Sequence, residues 1–307
     1  MLLKENNIIV LTGATASGKS QLAIDLISEY ITNGVIINAD AQQVYKEIPI
    51  ITAQPKNSDF IAAPHLLYGH KNVTQDYSVG IWLKEVVAKI NQLIETKQVP
   101  ILVGGSGMYL NSLLQGIANI PDIDQQTKDE AYIYINQKGL KETHRLLSMI
   151  DPISLQKITA TDTQRITRNY EVYLQTGKPL SYFQQLEKIK YFAPEQFVNF
   201  ELRLNREELY HKINHRFVEM MKDGVIEETE VLMRNFGELL PKSINRRGIG
   251  IGEINLYLLN QLSKEEMVDK VTQLMRNYAK RQVTWFKNQF DYFHKVGTLK
   301  DLAAKLS

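Results

Sequence analysis

The residues with the most chemistry in them stand near the start of the chain. Gly13-Ala14-Thr15-Ala16-Ser17-Gly18-Lys19-Ser20 follows the apolar run Ile8-Ile9-Val10-Leu11 and precedes Leu22, Ala23, Leu26 and Ile27 at helical spacing. It matches G-x-x-x-x-G-K-[ST] in the strand, loop and helix context that the pattern requires. Glycines let backbone amides turn inward on phosphate oxygens, the Lys19 ammonium adds a point charge, and the Ser20 hydroxyl is placed to hold a magnesium ion. A glycine-rich turn opening an ordinary helix is the plain alternative, but strand, spacing and lysine all agree with phosphate binding. The loop alone does not say whether that phosphate is transferred, hydrolysed or simply leaves.

Two more stretches put polar side chains at strand ends. Val35-Ile36-Ile37-Asn38 reads as a buried strand running into Asp40-Ala41-Gln42-Gln43-Val44-Tyr45, and Pro100-Ile101-Leu102-Val103 as another that ends in Gly104-Gly105-Ser106-Gly107. Ligands of open α/β sheets bind outside the carboxyl ends of the strands, so Asp40, Ser106 and Ser20 are expected along one edge. Each has a structural alternative: Asp40 as the N-cap of a following helix, the glycines as a tight strand-to-helix turn.

The elements that must position these groups are legible as patterns. Ile81, Trp82, Val86, Ile90 and Leu93 recur at three- and four-residue steps, predicting a helix over 79–96. Residues 46–80 carry Pro49, Pro55, Pro64 and Gly69 and read as a long, partly irregular connection over the active edge. His65 in that stretch has no partner at metal spacing and is assigned no catalytic role. From Pro121 to about residue 190 the chain is polar and helical without strand patterns. That predicts an inserted helical domain, 121–197, between the two parts of a core, 1–120 and 198–307. Its informative helix starts at Asp162 and stops at Gly177, with Ile166, Tyr170, Tyr173 and Leu174 as the buried stripe and Gln164, Arg165 and Arg168 outside it.

Residues 198–204 alternate apolar and polar, predicting a strand that returns to the core sheet, and 206–236 read as a long amphipathic helical region. Arg216 lies beside the apolar face of that region, where a guanidinium suits a diphosphate or is simply a surface charge. In the last clear helix, 271–289, Val271, Leu274, Met275, Tyr278 and Trp285 share one face and Arg276, Lys280 and Lys287 the other, with no acidic residue between. Such a strip suits a phosphate backbone or plain solvation equally.

Composition sets the bounds. With 307 residues and 44% apolar content the chain can bury a full core and a second lobe. A net charge of +2 leaves any nucleic-acid binding to local basic patches. The absence of cysteine excludes disulfides, thiolate-bound zinc and thiol catalysis. With strand-forming residues from Ile8 onward and no apolar run of membrane-spanning length, neither a leader segment nor a membrane anchor is expected. A cytoplasmic protein is the expectation.

In this order the pieces resemble the tRNA dimethylallyltransferase (tRNA isopentenyltransferase) family of the bacterial type, over nearly the whole length. Gly13 through Ser20 is similar to the family's G-P-T-A-S-G-K-S, Asp40 through Tyr45 to D-S-x-Q-V-Y, and Thr52 through Pro55 to T-A-K-P. Pro64 through Leu67 looks like P-H-H-x, Tyr77 through Val79 like Y-S-V, and Gly104 through Tyr109 like G-G-T-G-L-Y. Asp162 through Val172 resembles D-x-Q-R-I-x-R-A-x-E-V, Thr176 through Ser181 T-G-K-P-L-S, and Ile249 through Glu253 I-G-Y-K-E. Tyr278 through Phe286 carries Y-A-K-R-Q-x-T-W-F unbroken. The departures are Ala14 for proline, Ala41 for serine, Gln54 for lysine, Leu66 for the second histidine and Ser106 for threonine, with an altered loop at Arg246-Arg247-Gly248 and Gly252.

The resemblance implies an α/β fold, a P-loop NTPase-like parallel sheet flanked by helices with an inserted all-helical domain. It implies transfer of a dimethylallyl group from dimethylallyl diphosphate to the N6 amine of an anticodon-adjacent adenosine (position 37) in tRNA, with pyrophosphate leaving. Gly13, Ala14, Thr15, Ala16, Ser17, Gly18, Lys19 and Ser20 would cradle the diphosphate. Lys19, Arg216 and a magnesium ion held near Ser20 and Ser106 would stabilise its charge, and Asp40 would accept or orient the amine proton. The adenosine would be flipped from its stack and read by Gln43, with Ala41 and Gln42 beside it. Gln164, Arg165, Ile166, Thr167 and Arg168 would meet the anticodon stem-loop, and Arg246, Arg247, Arg276, Lys280, Arg281 and Lys287 would contact the rest of the RNA. A monomer is expected. Two alternatives use the same residues: a small-molecule kinase in which Asp40 activates a hydroxyl, and a nucleotide-switched RNA-binding module in which Asp40 is dispensable.

Overall fold

Runs of isoleucine, valine and leucine bounded by turns make strands buried on both faces, which is what an all-parallel sheet demands. The structure, a computed structural model, describes Lys4, residues 6–240 and residues 244–306, the side chain of Arg246 excepted. Its first part runs β1 (Ile8–Gly13), α1 (Lys19–Glu29), β2 (Gly34–Asn38), α2 (Asn57–Ala62), β3 (His65–Leu66), α3 (Val79–Glu95), β4 (Val99–Gly104) and α4 (Gly107–Gln115). Five helices follow: α5 (Gln125–Lys138), α6 (Leu140–Ile150), α7 (Pro152–Leu155), α8 (Thr163–Thr176) and α9 (Leu180–Gln185). The chain then gives β5 (Phe197–Leu202), α10 (Arg206–Lys222), α11 (Val225–Phe236), α12 (Ile251–Leu258), α13 (Lys264–Gln289), β6 (His294–Val296) and α14 (Leu299–Leu306).

The six strands form one sheet in the order β3-β2-β4-β1-β5-β6, and every pairing is parallel. The expected α/β class with a parallel sheet flanked by helices is what the chain adopts. β1, which feeds the phosphate loop, is central, with Thr12 opposite Gly104 of β4 and Glu201 of β5. This register brings the carboxyl ends of the three strands level. On one face, Ile9, Leu11, Ile36, Ile101 and Phe200 pack with Leu22, Leu26 and Ile27 of α1 and Leu302 and Leu306 of α14. A second cluster joins Leu209, Ile213 and Phe217 of α10 to Val271, Met275 and Ala279 of α13. It also takes in Val44, Tyr45, Ile48 and Ile51 and the phosphate-loop residues Ala14 and Ala16. Each fully buried large side chain contributes about 1.5–3 kcal/mol, so the loop's seat is part of the core.

The partly irregular 46–80 stretch supplies α2 and the two-residue edge strand β3, too short for a pattern of alternation to register. Three sequence expectations change here. Beyond Asp40 the chain buries Val44, Tyr45, Ile48 and Ile51 rather than lying over the surface. The 206–236 region is two helices, split where Gly224 takes φ +93°. The last long helix starts at Lys264, and the Ser263 hydroxyl accepts the Glu266 N–H as its cap, so Glu265, Glu266 and Asp269 stand in its first turns ahead of the basic part.

The described chain divides into two compact units, one built from residues up to Leu114 together with those from Phe192 onward, the other Gln115–Tyr191. The division falls earlier at each end than the 121–197 expected from Pro121. The reason is local: Gly116 turns the chain at φ +81° and Ile117 bridges antiparallel to Ile189, closing the second unit before Pro121. Within that unit, Ile166 and Tyr170 pack with Ala131, Leu147 and Leu155, and Val172 with Ile123, Leu180 and Phe183. The buried stripe of α8 is therefore Ile166, Asn169, Tyr170 and Val172; Leu174, expected inside, is 37% exposed.

Candidate active site

The phosphate loop leaves β1 at Gly13 and turns through Ala16 at φ +63° and Gly18 at φ +96° into α1. No side chain caps α1 and no acidic residue sits in its first turn, so the helix presents amide donors and the positive end of its dipole, an anion-binding arrangement. The Ser17 hydroxyl is buried without a hydrogen-bond partner among the described residues. A buried orphan of this kind marks a place that a ligand can satisfy. Ser20, in the first turn, is exposed.

Asp40 is placed by Asn38. The Asn38 Oδ1 accepts the Asp40 N–H at 2.8 Å, its Nδ2 donates to the carbonyls of Asp40 and Leu67, both at 3.0 Å, and its carbonyl accepts the Trp82 indole N–H at 2.9 Å. The Asp40 carboxylate accepts the Gln42 N–H at 3.0 Å. That is a two-residue side-chain turn; the first helix after Asp40 is α2, far beyond it, so the N-cap alternative does not hold.

Charge binds this region together. Burial pushes Lys19 down from its ordinary 10.5 to about 8, the Asp40 carboxylate pulls it back up, and the Arg216 guanidinium adds to the depression. Burial likewise lowers half-buried Arg216, with Asp40 opposing. Burial raises the hydroxyls of Tyr68, Tyr109 and Tyr278, and the Asp40 charge contributes in each case. Lys19, Arg216 and three tyrosines thus lie within the field of one carboxylate. The expected catalytic residues Lys19, Asp40 and Arg216 are brought together from the start of α1, the segment after β2 and α10.

Ser106 joins them through its Oγ, which accepts the Ala41 N–H at 2.8 Å. At the Tyr278 hydroxyl, Ser106 and Gln282 act against the upward push of burial. Gln282 is buried and bonds the Thr15 N–H and the Gly105 carbonyl. In the sequence this end of α13 reads as an apolar face with a basic back, a pattern that assigns Tyr278 and Gln282 no role. The available signal was Gln282 in register with Val271, Met275 and Phe286, a carboxamide on an otherwise apolar stripe.

The expected RNA-contact residues separate into several groups. Lys280, Arg281 and Lys287 are exposed on α13, while half-buried Arg276 donates to Asn214 at 2.8 Å. On α8, Gln164, Arg165 and Arg168 are exposed, with Arg165 3.4 Å from Asp162 and Arg168 3.5 Å from Glu171, and Thr167 is half-buried. Ile166 has no exposed surface; its side chain belongs to the core and does not offer the contact expected of it. Arg247 is corrected in the same sense: it is 9% exposed, hydrogen-bonds the Tyr45 hydroxyl, lies over the Tyr45 ring and donates to Asp76 at 3.0 Å. An arginine so engaged is a clamp on the 44–51 segment. The Arg246 side chain lies outside the described residues. Gln43 donates to the carbonyls of Thr52 and Ala53 at 3.0 and 2.7 Å, so its NH2 group holds the loop. Gln42 donates to the Asn245 carbonyl at 3.3 Å.

Among the described residues no group of three or more His, Asp or Glu side chains forms a metal cage. The donors at hand are the Ser20 and Ser106 hydroxyls. Hard, neutral oxygens beside a phosphate loop suit magnesium, which keeps several waters and binds largely through substrate phosphates. Among the described residues, too, no helix is long and apolar enough to cross a membrane.

The sequence model of the family described as IPP transferase matches residues 43–289. A tRNA dimethylallyltransferase of Rickettsia bellii is 42% identical over 94% of this chain and 90% of its own length. Among solved structures, the full-length tRNA isopentenylpyrophosphate transferase from Bacillus halodurans superposes with a TM-score of 0.66 at 29% identity, covering 96% of this chain and 90% of that one. A eukaryotic dimethylallyltransferase acting on tRNA gives 0.78 at 26% identity, covering 91% and 69%. With a family model matched over residues 43–289 and a relative 42% identical over nearly the whole length, the chain belongs to the IPP transferase family.

Proposed function

We propose that the protein transfers a dimethylallyl group from dimethylallyl diphosphate to the N6 amine of adenosine 37 in tRNA. The observation that carries this reading is Asp40: one carboxylate at the phosphate-loop edge acts electrostatically on both cations, Lys19 and Arg216. A proton acceptor thus stands beside the seat of a dianionic leaving group. The loop amides, Lys19 and Arg216 bind the diphosphate and stabilise the charge that develops on its bridging oxygen as the carbon–oxygen bond breaks. The N6 nitrogen attacks the same carbon, its proton passes to the Asp40 carboxylate, and pyrophosphate departs. Because an adenine amine is a poor nucleophile, alignment does more for the rate than basicity. The adenosine reaches the site by leaving its stack.

Ser20 and Ser106 are the residues that would hold a magnesium ion, which supplies neutralising charge to the diphosphate when bound. Lys280, Arg281 and Lys287 grip the RNA backbone, and Gln164, Arg165 and Arg168 meet the anticodon stem-loop. The protein acts as a cytoplasmic monomer. A kinase would need a magnesium-binding carboxylate at the inner strand end, and β4 runs out into Gly104-Gly105-Ser106 instead. The test is incubation of tRNA with labelled dimethylallyl diphosphate or γ-labelled ATP: label entering tRNA from the diphosphate supports the transfer, and label moving only from ATP overturns it.

A further inference from the structure

Gln282 sits on the buried face of α13 with 6% of its surface exposed. Both ends of its carboxamide are engaged. Oε1 accepts the Thr15 N–H of the phosphate loop at 2.8 Å, and Nε2 donates to the Gly105 carbonyl beyond β4 at 2.9 Å. Next to Gly105, the Ser106 Oγ accepts the Ala41 N–H at 2.8 Å. Gln282 of α13 therefore ties the loop after β1 to the loop after β4, and Ser106 carries the tie on to the loop after β2, so that the segments bearing Lys19, Ser106 and Asp40 are linked.

The fit around this tie has no slack. A β-carbon on Gly105 would lie 2.2 Å from the Gln282 Nε2, and one on Gly107 would lie 2.3 Å from the Trp285 ring. The chemistry is equally restrictive. One buried side chain must accept from an amide and donate to a carbonyl at the same moment; a carboxamide does both, a carboxylate only accepts and an ammonium only donates.

We infer that Gln282 is a positioning residue for group transfer, which sets the spacing between the phosphate loop and the Ser106–Asp40 edge. On the transferase reading, on which this inference rests, that spacing is the distance between the leaving diphosphate and the attacking amine. A displacement of about 1 Å between reacting groups costs on the order of a hundredfold in rate. Gln282 touches neither substrate in this role; it acts through Thr15 and Gly105.

The test compares Gln282→Leu and Gln282→Glu with the wild-type protein in steady-state transfer from dimethylallyl diphosphate to tRNA. Each rate is normalised to the folded fraction measured by thermal unfolding. Gln282→Leu, lacking both bonds, is expected to lower kcat by about tenfold to a hundredfold, with the tRNA Kd unmoved. Gln282→Glu keeps the acceptor and, when protonated, regains a donor to Gly105. Its kcat relative to wild type is expected to rise as pH falls from about 8 to about 6, because burial raises a carboxyl into that range. A tether that served stability alone would shift the unfolding midpoint and leave that ratio flat. Wild-type kcat per folded molecule in both variants, or a flat ratio in Gln282→Glu, overturns the inference while leaving the transferase reading intact. A wild-type protein that makes no product overturns both together.

Discussion

Asp40 acts electrostatically on Lys19 although strand β4 lies between the two strands that deliver them. The proximity comes from the level carboxyl ends of a parallel sheet and joins a proton acceptor to a phosphate-binding cation. Burial outweighs the carboxylate, leaving Lys19 near 8 against an ordinary 10.5. The free enzyme therefore loses this charge as pH rises through about 8. For dimethylallyl diphosphate, kcat/KM is expected to fall above that pH, since this ratio reports groups of the free enzyme. Lys19→Arg is expected to carry the fall to higher pH. The stability effect has the opposite direction. Between about 8 and 10.5 the unfolded chain holds more protons at this residue than the folded one, so the unliganded protein gains stability as pH rises through that window. The unfolding midpoint of Lys19→Met should lack this gain.

Removing the acceptor separates chemistry from binding. Asp40→Asn keeps the side-chain oxygen that accepts the Gln42 N–H but cannot take a proton at neutral pH. It is expected to lower kcat by about a hundredfold to ten-thousandfold, the usual worth of a general base. The tRNA Kd should stay close to wild type. Single-turnover rates at saturating tRNA measure the first and filter binding the second; an unchanged rate assigns Asp40 no part in proton transfer.

The sheet and the phosphate loop were legible because their signals are local. Ile8 through Leu11, Val35 through Asn38 and Ile101 through Val103 are apolar runs that only a doubly buried strand accommodates, and the loop's glycines and lysine stand at fixed offsets. Asp40 and Ser106 could be placed at one edge by the rule for strand ends alone. Less was legible where a residue's task depends on a neighbour distant in sequence. Arg247 reads as a surface cation until Tyr45 and Asp76 are seen against it. Gln282 reads as one polar residue in a basic helix until Thr15 and Gly105 are found at its two ends. Ile166 shared a stretch with charged residues, and only helical geometry turned it inward.

The two kinds of basic residue should separate in experiment. Arg247→Met leaves the buried Tyr45 hydroxyl without its partner, which costs about 1–3 kcal/mol, and is expected to lower the unfolding midpoint. Replacing Lys280, Arg281 and Lys287 together by glutamine should leave that midpoint near wild type. It should instead weaken tRNA binding and reduce the slope of log K against log salt by about one for each phosphate no longer neutralised. Thermal unfolding and binding at several salt concentrations read the two effects independently.

A similar division applies on α8. Ile166→Ala removes fully buried side-chain volume from the cluster with Ala131, Leu147 and Leu155, which costs about 2–5 kcal/mol. Arg168→Gln removes an exposed charge whose pairing with Glu171 is worth about 0–1 kcal/mol. Limited proteolysis of the 115–191 unit should accelerate in the first variant and stay near wild type in the second, while tRNA affinity falls in the second.

The most direct measurement is mass spectrometry of the nucleosides from tRNA incubated with the protein, dimethylallyl diphosphate and magnesium, alongside assay of released pyrophosphate. The predicted result is N6-dimethylallyl adenosine at the anticodon-adjacent position, with one pyrophosphate released per modified nucleoside. Unmodified adenosine, or phosphate released from ATP in place of pyrophosphate from the prenyl donor, contradicts the account.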